Sequence, residues 1–293
     1  MAFASDKGRQ GAAGVSTGYD IPYSARFNDD DSAYLNFSPS TTTGTKKWVW
    51  SGWVKRGNIS ANKMLFAAHQ DDNNFTHFHF NTDDQLLIYG KTSNGNKFNT
   101  NTVAKFRDCS AWYHILLAVD TTQATEANRL QFYVNGVLQS TSIAVNTDLN
   151  RESWMNHSSA TERLGAKYDG GTIGDEYDGH MAEVHFIDNQ SFFSDTSGTA
   201  STIFNIDSFG ETGDYGEWKP IAYTGTYGTN GFYPPFLGNS VPVITDSSST
   251  SALTINTGIT HSSTQQKFGA TSIKLVGGSN GNADSGYGIE YAG

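Results

Sequence analysis

The sequence predicts an all-β domain, an antiparallel sandwich of two facing sheets. Three observations predict it. Apolar residues recur at every second position through many short segments. Charged residues make up only 16% of the chain, while Ser, Thr, Asn and Gly fill most polar positions, as in proteins built of short strands and turns. No window carries a 3.6-residue apolar stripe longer than two turns, and only residues 199–209 are compatible with a short helix.

The first strong strand covers residues 47–54, which are aromatic and β-branched on both faces, as is typical of an inner strand. In a later segment a period of two places Phe78 and Phe80 on the buried side. His77 and His79 then share an exposed polar face. Two imidazoles on one face are also compatible with a metal, but the pattern supplies no third ligand.

The clearest unit is a hairpin. Residues 112–120 form a long strand that is apolar on both faces, and residues 130–134 alternate apolar and polar side chains. Asn135-Gly136 follows, a dipeptide that accepts the positive φ angles of a type I′ turn. Residues 177–187 form the last strong strand of the block.

Four segments follow from these patterns. Residues 1–20 are a Gly-rich N-terminal arm, residues 21–190 the sandwich, and residues 191–240 a connector rich in Tyr, Gly and Pro that wraps over a surface. Residues 241–293 repeat the pattern of the opening strands. This last part is a partial second β unit, which either continues in a longer parent chain or completes a neighbour's sheet.

The arm has two interpretations. Gly8, Gly11 and Gly14 interrupt any period, so the segment has little to bury and is expected to be a disordered tail. Alternatively the arm, including Tyr19, is an anchor that becomes ordered against a partner protein.

The charge and the cysteine content exclude several classes of function. A net charge of −10 disfavours binding to nucleic acid or to anionic lipid. The chain lacks the roughly 18 consecutive apolar residues that a membrane helix needs, and its N-terminus lacks the apolar core of a signal peptide. The single cysteine, Cys109, cannot form an intramolecular disulfide and is expected to be an inert thiol.

The order of the motifs resembles a known family. Five segments in succession resemble core strands of laminin-G-like domains in the concanavalin A superfamily, namely residues 51–54, 111–115, 119–120, 133–136 and 178–184. The resemblance covers roughly residues 23–190. It implies that the sandwich is a two-sheet jelly roll.

The flanks resemble segments of tail and fibre proteins from marine bacteriophages. These flanks are residues 1–37 and 209–233, although Pro234-Pro235 depart from the usual continuation. The resemblance implies a non-enzymatic virion structural protein on tail or capsid, a homo-oligomer whose arm contacts other virion proteins and whose sandwich binds host glycans. A secreted glycan-binding module or adhesin is the first alternative, and a diverged polysaccharide hydrolase is the second.

The hydrolase alternative depends on a Glu-x-Asp-x-x-Glu strand, whose carboxylates share one face. The nearest segment begins with Glu176 and Asp178, but Met181 occupies the third position. Methionine can neither attack an anomeric carbon nor donate a proton. A dispersed Ser-His-Asp triad stays open, because its members need not be neighbours in the sequence.

Sugar recognition requires an exposed aromatic platform with amides close by. Trp154, Asn156, His157 and Tyr168 lie in a long polar stretch and are the predicted glycan-binding residues. The alternative is that the two large aromatic rings pack over the edge of the sandwich.

Calcium is the one candidate cofactor. Many sandwiches of the family bind Ca²⁺ at a loop edge, and Asp71, Asp72 and Asn73 supply suitable oxygens between two strands. Residues 28–31 are similar. The alternative for both segments is a solvated turn, because Asp and Asn favour turns in any context.

Overall fold

The computed structural model describes residues 19–21, 23–190, 205–234 and 236, together with the backbone of three short strands within 254–275. Short 3-10 helices occur at Asp29–Asp31, Glu126–Asn128 and Ile206–Ser208. None of the helices in these described segments has the length and apolarity to cross a membrane. The strands are β1 (Ala25–Phe27), β2 (Leu35–Phe37), β3 (Lys47–Arg56), β4 (Lys63–Asp71), β5 (Asn74–Phe80), β6 (Leu86–Thr92), β7 (Gly95–Thr102), β8 (Tyr113–Asp120), β9 (Leu130–Val134), β10 (Val137–Leu138), β11 (Thr141–Val145), β12 (Thr161–Leu164), β13 (Lys167–Asp169), β14 (Thr172–Gly174), β15 (Gly179–Asp188), β16 (Gly210–Thr212), β17 (Trp218–Pro220), β18 (Thr254–Ile255), β19 (Ile259–Ser262) and β20 (Ser272–Leu275).

Two large antiparallel sheets face each other, which confirms the predicted all-β sandwich of the jelly-roll kind. Sheet I has the strand order β10-β9-β8-β3-β15-β1, and sheet II has the order β11-β7-β6-β5-β4-β12-β2. β20 pairs in parallel with β1, and β18 pairs with β2, so short C-terminal strands extend both sheets. The rest of residues 241–293 lies outside the described residues, and a second β unit there stays a prediction.

The core lies between the sheets and is built on β3. This strand pairs with both β8 and β15, and Trp48 and Trp50 point inward from it without any exposure. The Trp50 ring packs edge-on against Phe78 of sheet II, with 5.4 Å between ring centroids. Such aromatic pairs bury large apolar areas, so they hold the two sheets together.

Local sequence determines the turn between β9 and β10. Asn135 and Gly136 have φ angles of 48° and 79°, and Val134 pairs with Val137 across the turn. Positive φ at both central residues is the requirement of a type I′ hairpin. The predicted turn is therefore confirmed.

A buried ion pair fixes the loops at one end of the sandwich. Asp84 is completely buried and lies 3.0 Å from the Arg56 guanidinium and 2.9 Å from that of Arg107. Burial alone would raise the pKa of Asp84, but the Ser60 amide and the two guanidinium groups outweigh it and lower the pKa. The carboxylate therefore stays ionised and bridges three segments of the chain.

The connector covers the outer face of sheet I. Phe209, Tyr223 and Tyr227 pack on the apolar side chains of β3, β8 and β15 that point away from the core. Phe232 exchanges backbone hydrogen bonds of 2.9 Å with Phe186 at the end of β15. Sheet I thus has protein on both faces, whereas the outer face of sheet II carries no such cover from the described part of the connector.

Tyr19 belongs to the same packed layer. Its ring packs against Trp53 and Ala182, and burial together with the Glu183 carboxylate raises the pKa of Tyr19 to about 12. The hydroxyl is thus engaged within the chain, and the anchor role of Tyr19 stays a prediction. Gly8, Gly11 and Gly14 lie outside the described residues, and the anchor role of the arm stays a prediction.

Candidate functional site

The outer face of sheet II carries a band of imidazole, aromatic, amide and guanidinium groups, which we call the histidine face. Its residues come from neighbouring strands because the register of sheet II places them side by side, on the side opposite the core. One row of the ladder contains Arg163, Ala67, His77, Tyr89 and Asn99. The rows beside it contain His69, Phe75 and Lys91, and Met64, His79, Leu87 and Asn101.

The histidines of this face are buried, which corrects the expectation of an exposed polar face. His77 and His79 retain only 5% and 7% exposure, and His69 retains 6%. The His77 ring stacks on Phe75 with 4.3 Å between ring centroids. Burial lowers the pKa of His69, that of His77 still further, and that of His79 to about 4, so all three rings are neutral at pH 7.

Each of these rings carries a nitrogen that has no hydrogen-bond partner among the described residues. The atoms are Nδ1 of His69, Nε2 of His77 and Nδ1 of His79. The Nε of Arg163 is also buried and has no hydrogen-bond partner among the described residues. A buried polar atom without a partner costs roughly 1–3 kcal/mol, so these atoms are a local cost to the stability of the sheet.

A small hairpin forms a wall beside the histidine face. Tyr168 lies on β13, and its ring packs edge-on against His69 with 5.4 Å between centroids. The Arg163 guanidinium lies over the same ring at 5.1 Å. The Gly170 amide donates to Asp72 Oδ1 at 3.0 Å, which ties the hairpin to the β4–β5 turn. Tyr168 is therefore the one predicted glycan-binding residue that lies on this face.

The other predicted glycan-binding residues lie elsewhere. Trp154 and His157 contact each other at the end of the sandwich, with 4.4 Å between ring centroids. The indole Nε1 of Trp154 donates to Thr92 Oγ1 at 3.2 Å, so the half-buried ring packs over the sandwich edge. Asn156 is fully buried, which corrects its prediction as a surface amide for sugar.

The predicted calcium turn is exposed and makes its own hydrogen bonds. Asp71 Oδ1 accepts from the Asn73 amide at 2.8 Å and from Asn74 Nδ2 at 2.9 Å. In the second acidic segment Lys63 lies 2.7 Å from Asp29. Nowhere in the described part of the chain do three or more His, Cys, Asp or Glu residues form a group that could hold a metal.

A serine–histidine pair lies beneath the connector on sheet I. The Oγ of Ser51 lies 2.9 Å from Nε2 of His114, while the Trp218 indole donates to His114 Nδ1 at 3.0 Å. An indole N–H only donates, so Nδ1 is the acceptor and the proton of the neutral ring lies on Nε2, facing the serine. The imidazole in this tautomer cannot take the serine proton. Ser51 and His114 are also buried, so the pair is structural.

A second polar cluster fixes the connector to sheet I. The Tyr233 hydroxyl donates to Glu183 Oε1 at 2.6 Å, and His185 Nε2 lies 3.3 Å from the other carboxylate oxygen. The rings of His185 and Tyr233 stack with 4.7 Å between centroids. His185 Nδ1 also lies 2.8 Å from the hydroxyl of Tyr227, so the cluster holds the connector in place.

The carboxylates considered for hydrolysis are engaged separately. Asp178 forms an ion pair with Arg26 at 2.5 Å, and Ser32 donates to Glu176 at 3.1 Å. Met181 lies in the hydrophobic core. The segment therefore presents no group of converging acids to a sugar.

Sequence reasoning identified His77, His79 and Tyr168 as candidates but missed His69, Tyr89 and Arg163. The missing signal is the register of sheet II, which brings residues almost a hundred positions apart into one row. Alternation along one strand shows that two side chains share a face. It does not show which residues of other strands stand beside them.

One comparison with known protein families gives a match. The family model described as concanavalin A-like lectin/glucanases superfamily matches residues 29–191. No curated protein sequence matches the chain.

Three solved structures illustrate the similarity. A Bacteroides ovatus protein with a provisional carbohydrate-binding assignment is 13% identical, with a TM-score of 0.48 over 88% of this chain and 61% of its own. The CBM40 of the Ruminococcus gnavus IT-sialidase is 12% identical, with a TM-score of 0.37 over 52% of this chain and 89% of its own. Domains LG4-5 of the mouse laminin α1 chain are 10% identical, with a TM-score of 0.39 over 57% of this chain and 41% of their own.

Proposed function

The chain belongs to the concanavalin A-like lectin/glucanases superfamily, and from this premise we propose that its sandwich binds carbohydrate at the histidine face without chemical turnover. The observation that carries the proposal is the set of buried, neutral imidazoles with unpartnered nitrogens on the face of sheet II that the described part of the connector leaves uncovered. A neutral imidazole offers one donor and one acceptor, and a sugar hydroxyl is both. Each ring therefore matches the chemistry of a hydroxyl group.

The neighbouring side chains complete the requirements of a sugar site. Phe75 and Tyr89 provide aromatic surface within 5.6 Å of each other, on which the C–H face of a pyranose ring packs. Asn99 and Asn101 add amides at the adjacent strand. Arg163 supplies donors at the other side of the row. This mixture of flat apolar surface and a few fixed polar groups is typical of ligand sites.

We further propose that the protein is a non-enzymatic bacteriophage virion structural protein, in a tail fibre, an appendage or a capsid decoration. The resemblance of the flanking segments to marine phage proteins supports this setting, and the arm would contact other virion proteins. A homo-oligomer on a particle presents many copies of the histidine face, so weak single sites add up through avidity. The histidine face would serve a secreted bacterial glycan-binding module in the same way.

The binding proposal is tested with host-cell polysaccharides on an array, followed by calorimetry. Arg163→Ala and Tyr89→Ala remove a donor and an aromatic surface from the face and are expected to weaken binding about tenfold or more. Tyr215→Ala is the matched control, because Tyr215 is 96% exposed and lies in the connector. Equal affinities in all three variants, with unfolding midpoints unchanged, would place the ligand elsewhere and refute the proposal.

The virion setting is tested separately, by mass spectrometry and antibody labelling of purified particles. Many copies per particle on the tail or capsid are expected. Detection of the chain only in a bacterial secreted fraction would refute the virion role and leave the glycan-binding module.

A further inference from the structure

Two basic side chains on the histidine face lie over aromatic rings. The Arg163 guanidinium lies 5.1 Å from the centre of the Tyr168 ring, and the Lys91 ammonium lies 5.7 Å from the centre of the Phe75 ring. An aromatic ring attracts a cation through its quadrupole, so it holds the basic side chain in place without neutralising its charge. Arg163 and Lys91 are both half-buried, so each is fixed on the sheet and still reachable from solvent.

Neither cation has an acidic partner within the part of the chain that the structure describes. The ion pairs found there include neither Arg163 nor Lys91. Arg56 differs, because its guanidinium also lies over a ring but pairs in addition with the Asp84 carboxylate. Burial lowers the pKa of Arg163, and the groups that oppose this are tyrosines rather than carboxylates. A half-desolvated charge without a counter-ion costs free energy, which an anionic ligand would recover.

The two cations flank a continuous line of rings. Tyr168 lies 5.4 Å from His69, and His69 lies 6.2 Å from Phe75, measured between ring centroids. Arg163 belongs to β12 and Lys91 to β6, with β4 and β5 between them in the sheet. Three inter-strand spacings separate the two cations by about 14 Å across the sheet. This separation is longer than a single sugar ring.

We propose that the histidine face selects acidic polysaccharides, with Arg163 and Lys91 each pairing with an anionic group on a different sugar unit. This specificity rests on the proposed glycan-binding function of the same face. Carboxylate and sulfate groups both match, because a guanidinium donates to two oxygens at once and an ammonium acts as a point charge. The net charge of −10 repels a polyanion at a distance, so the attraction is local to the two cations.

Asp72 stands beside the line of rings and repels an anionic ligand. Its Oδ1 lies 3.8 Å from His69 Nε2 and accepts from the Gly170 amide at 3.0 Å. Asparagine at this position keeps an oxygen for that amide but carries no charge. Asp72→Asn is therefore expected to strengthen binding of an acidic polysaccharide about two- to fivefold. A weakening in this variant would contradict the proposal.

The test measures binding of the full-length chain to matched pairs of polysaccharides by calorimetry. One pair is polygalacturonate and its uncharged methyl ester, and the other is a sulfated galactan and its unsulfated counterpart, so the two pairs distinguish carboxylate from sulfate. The wild type is expected to bind at least one charged member about tenfold more tightly than its neutral counterpart. Arg163→Gln and Lys91→Gln are each expected to remove most of that preference. Lys219→Gln removes the same charge from β17, over sheet I, and is expected to keep it.

The outcomes separate the acidic specificity from glycan binding itself. Equal binding of charged and neutral members, weakened by Tyr89→Ala, would overturn the specificity and keep the glycan site. Binding of polyglutamate as tight as that of the polysaccharides would show attraction to charge alone and would also overturn the specificity. Binding of no polysaccharide, or binding that Tyr89→Ala and Arg163→Gln leave unchanged, would overturn both proposals.

The salt dependence of the wild type tests the specificity without any variant. Raising sodium chloride from about 0.05 M to about 1 M shortens the screening length to about 3 Å. The preference of the wild type for the charged members is expected to disappear. A preference that survives at high salt would refute ion pairing with Arg163 and Lys91, even if a variant fails to fold.

Discussion

Mild acid is expected to destabilise the sandwich through His79. The ring is 7% exposed on the outer face of sheet II, and burial, assisted by Lys167, lowers its pKa from 6.5 to about 4. Above pH 6.5 the imidazole is neutral in both the folded and the unfolded chain and does not affect stability. Between pH 6.5 and pH 4 the His79 imidazole binds a proton in the unfolded chain but not in the folded chain, so the free energy of unfolding falls.

The size of the effect follows from the two pKa values. Proton linkage gives a loss of roughly 2 kcal/mol at pH 5 and roughly 3 kcal/mol at pH 4 from His79 alone. Native domains have only about 5–15 kcal/mol in total, so the loss is measurable. His77 is buried beside it and shifts in the same direction, so the whole protein is expected to lose more.

The assay is urea unfolding of the wild type and of His79→Gln at pH 7.5 and pH 5. Glutamine keeps a polar group at the position but does not titrate. The variant is expected to lose about 2 kcal/mol less than the wild type between the two pH values. Parallel losses in the two proteins would show that His79 titrates normally in the folded state, and the argument from burial would be wrong.

Three further outcomes are expected from the packing. Asp84→Asn removes the buried charge that pairs with the buried Arg56 and the exposed Arg107, and it should cost about 3 kcal/mol in urea unfolding. Asp83→Asn at the surface should change stability by less than about 0.5 kcal/mol; equal effects would contradict the burial argument. Gly179→Ala forces a Cβ against a backbone carbonyl at φ 143° and should cost about 2 kcal/mol or more by the same assay, whereas Gly174→Ala meets open space and should be neutral. Tyr233→Phe removes a hydrogen bond to a buried carboxylate, so limited proteolysis should cut the connector faster while the core strands stay intact. An unchanged rate of cleavage would show that this bond does not hold the connector on sheet I.

The sequence allowed the sheets and the tightest turn to be predicted because these features depend on local chemistry. Alternation along the chain identifies β8 and β9, and Asn135-Gly136 can adopt the positive φ angles that a two-residue hairpin requires. The sequence also predicted that β3 is an inner strand, because side chains on both of its faces are apolar. Such signals need no knowledge of distant contacts.

The site was less predictable because its properties arise from long-range contacts. A period of two placed His77 and His79 on one face, but only the fold shows that neighbours bury that face. Asn156 looked like a surface amide because its loop is polar, yet the loop turns inward.

The connector determines which segment of this chain could be transferred to another gene by recombination and still fold. The family match ends at residue 191, but Phe232 completes the backbone pairing of Phe186, and aromatic rings from residues 209–227 cover sheet I. A recombination event that transferred residues 29–191 alone would deliver a sandwich with one bare apolar flank, prone to aggregate. The unit that folds intact is therefore longer than the segment that matches the family. Gene fusions that preserve function should carry the sandwich together with its connector.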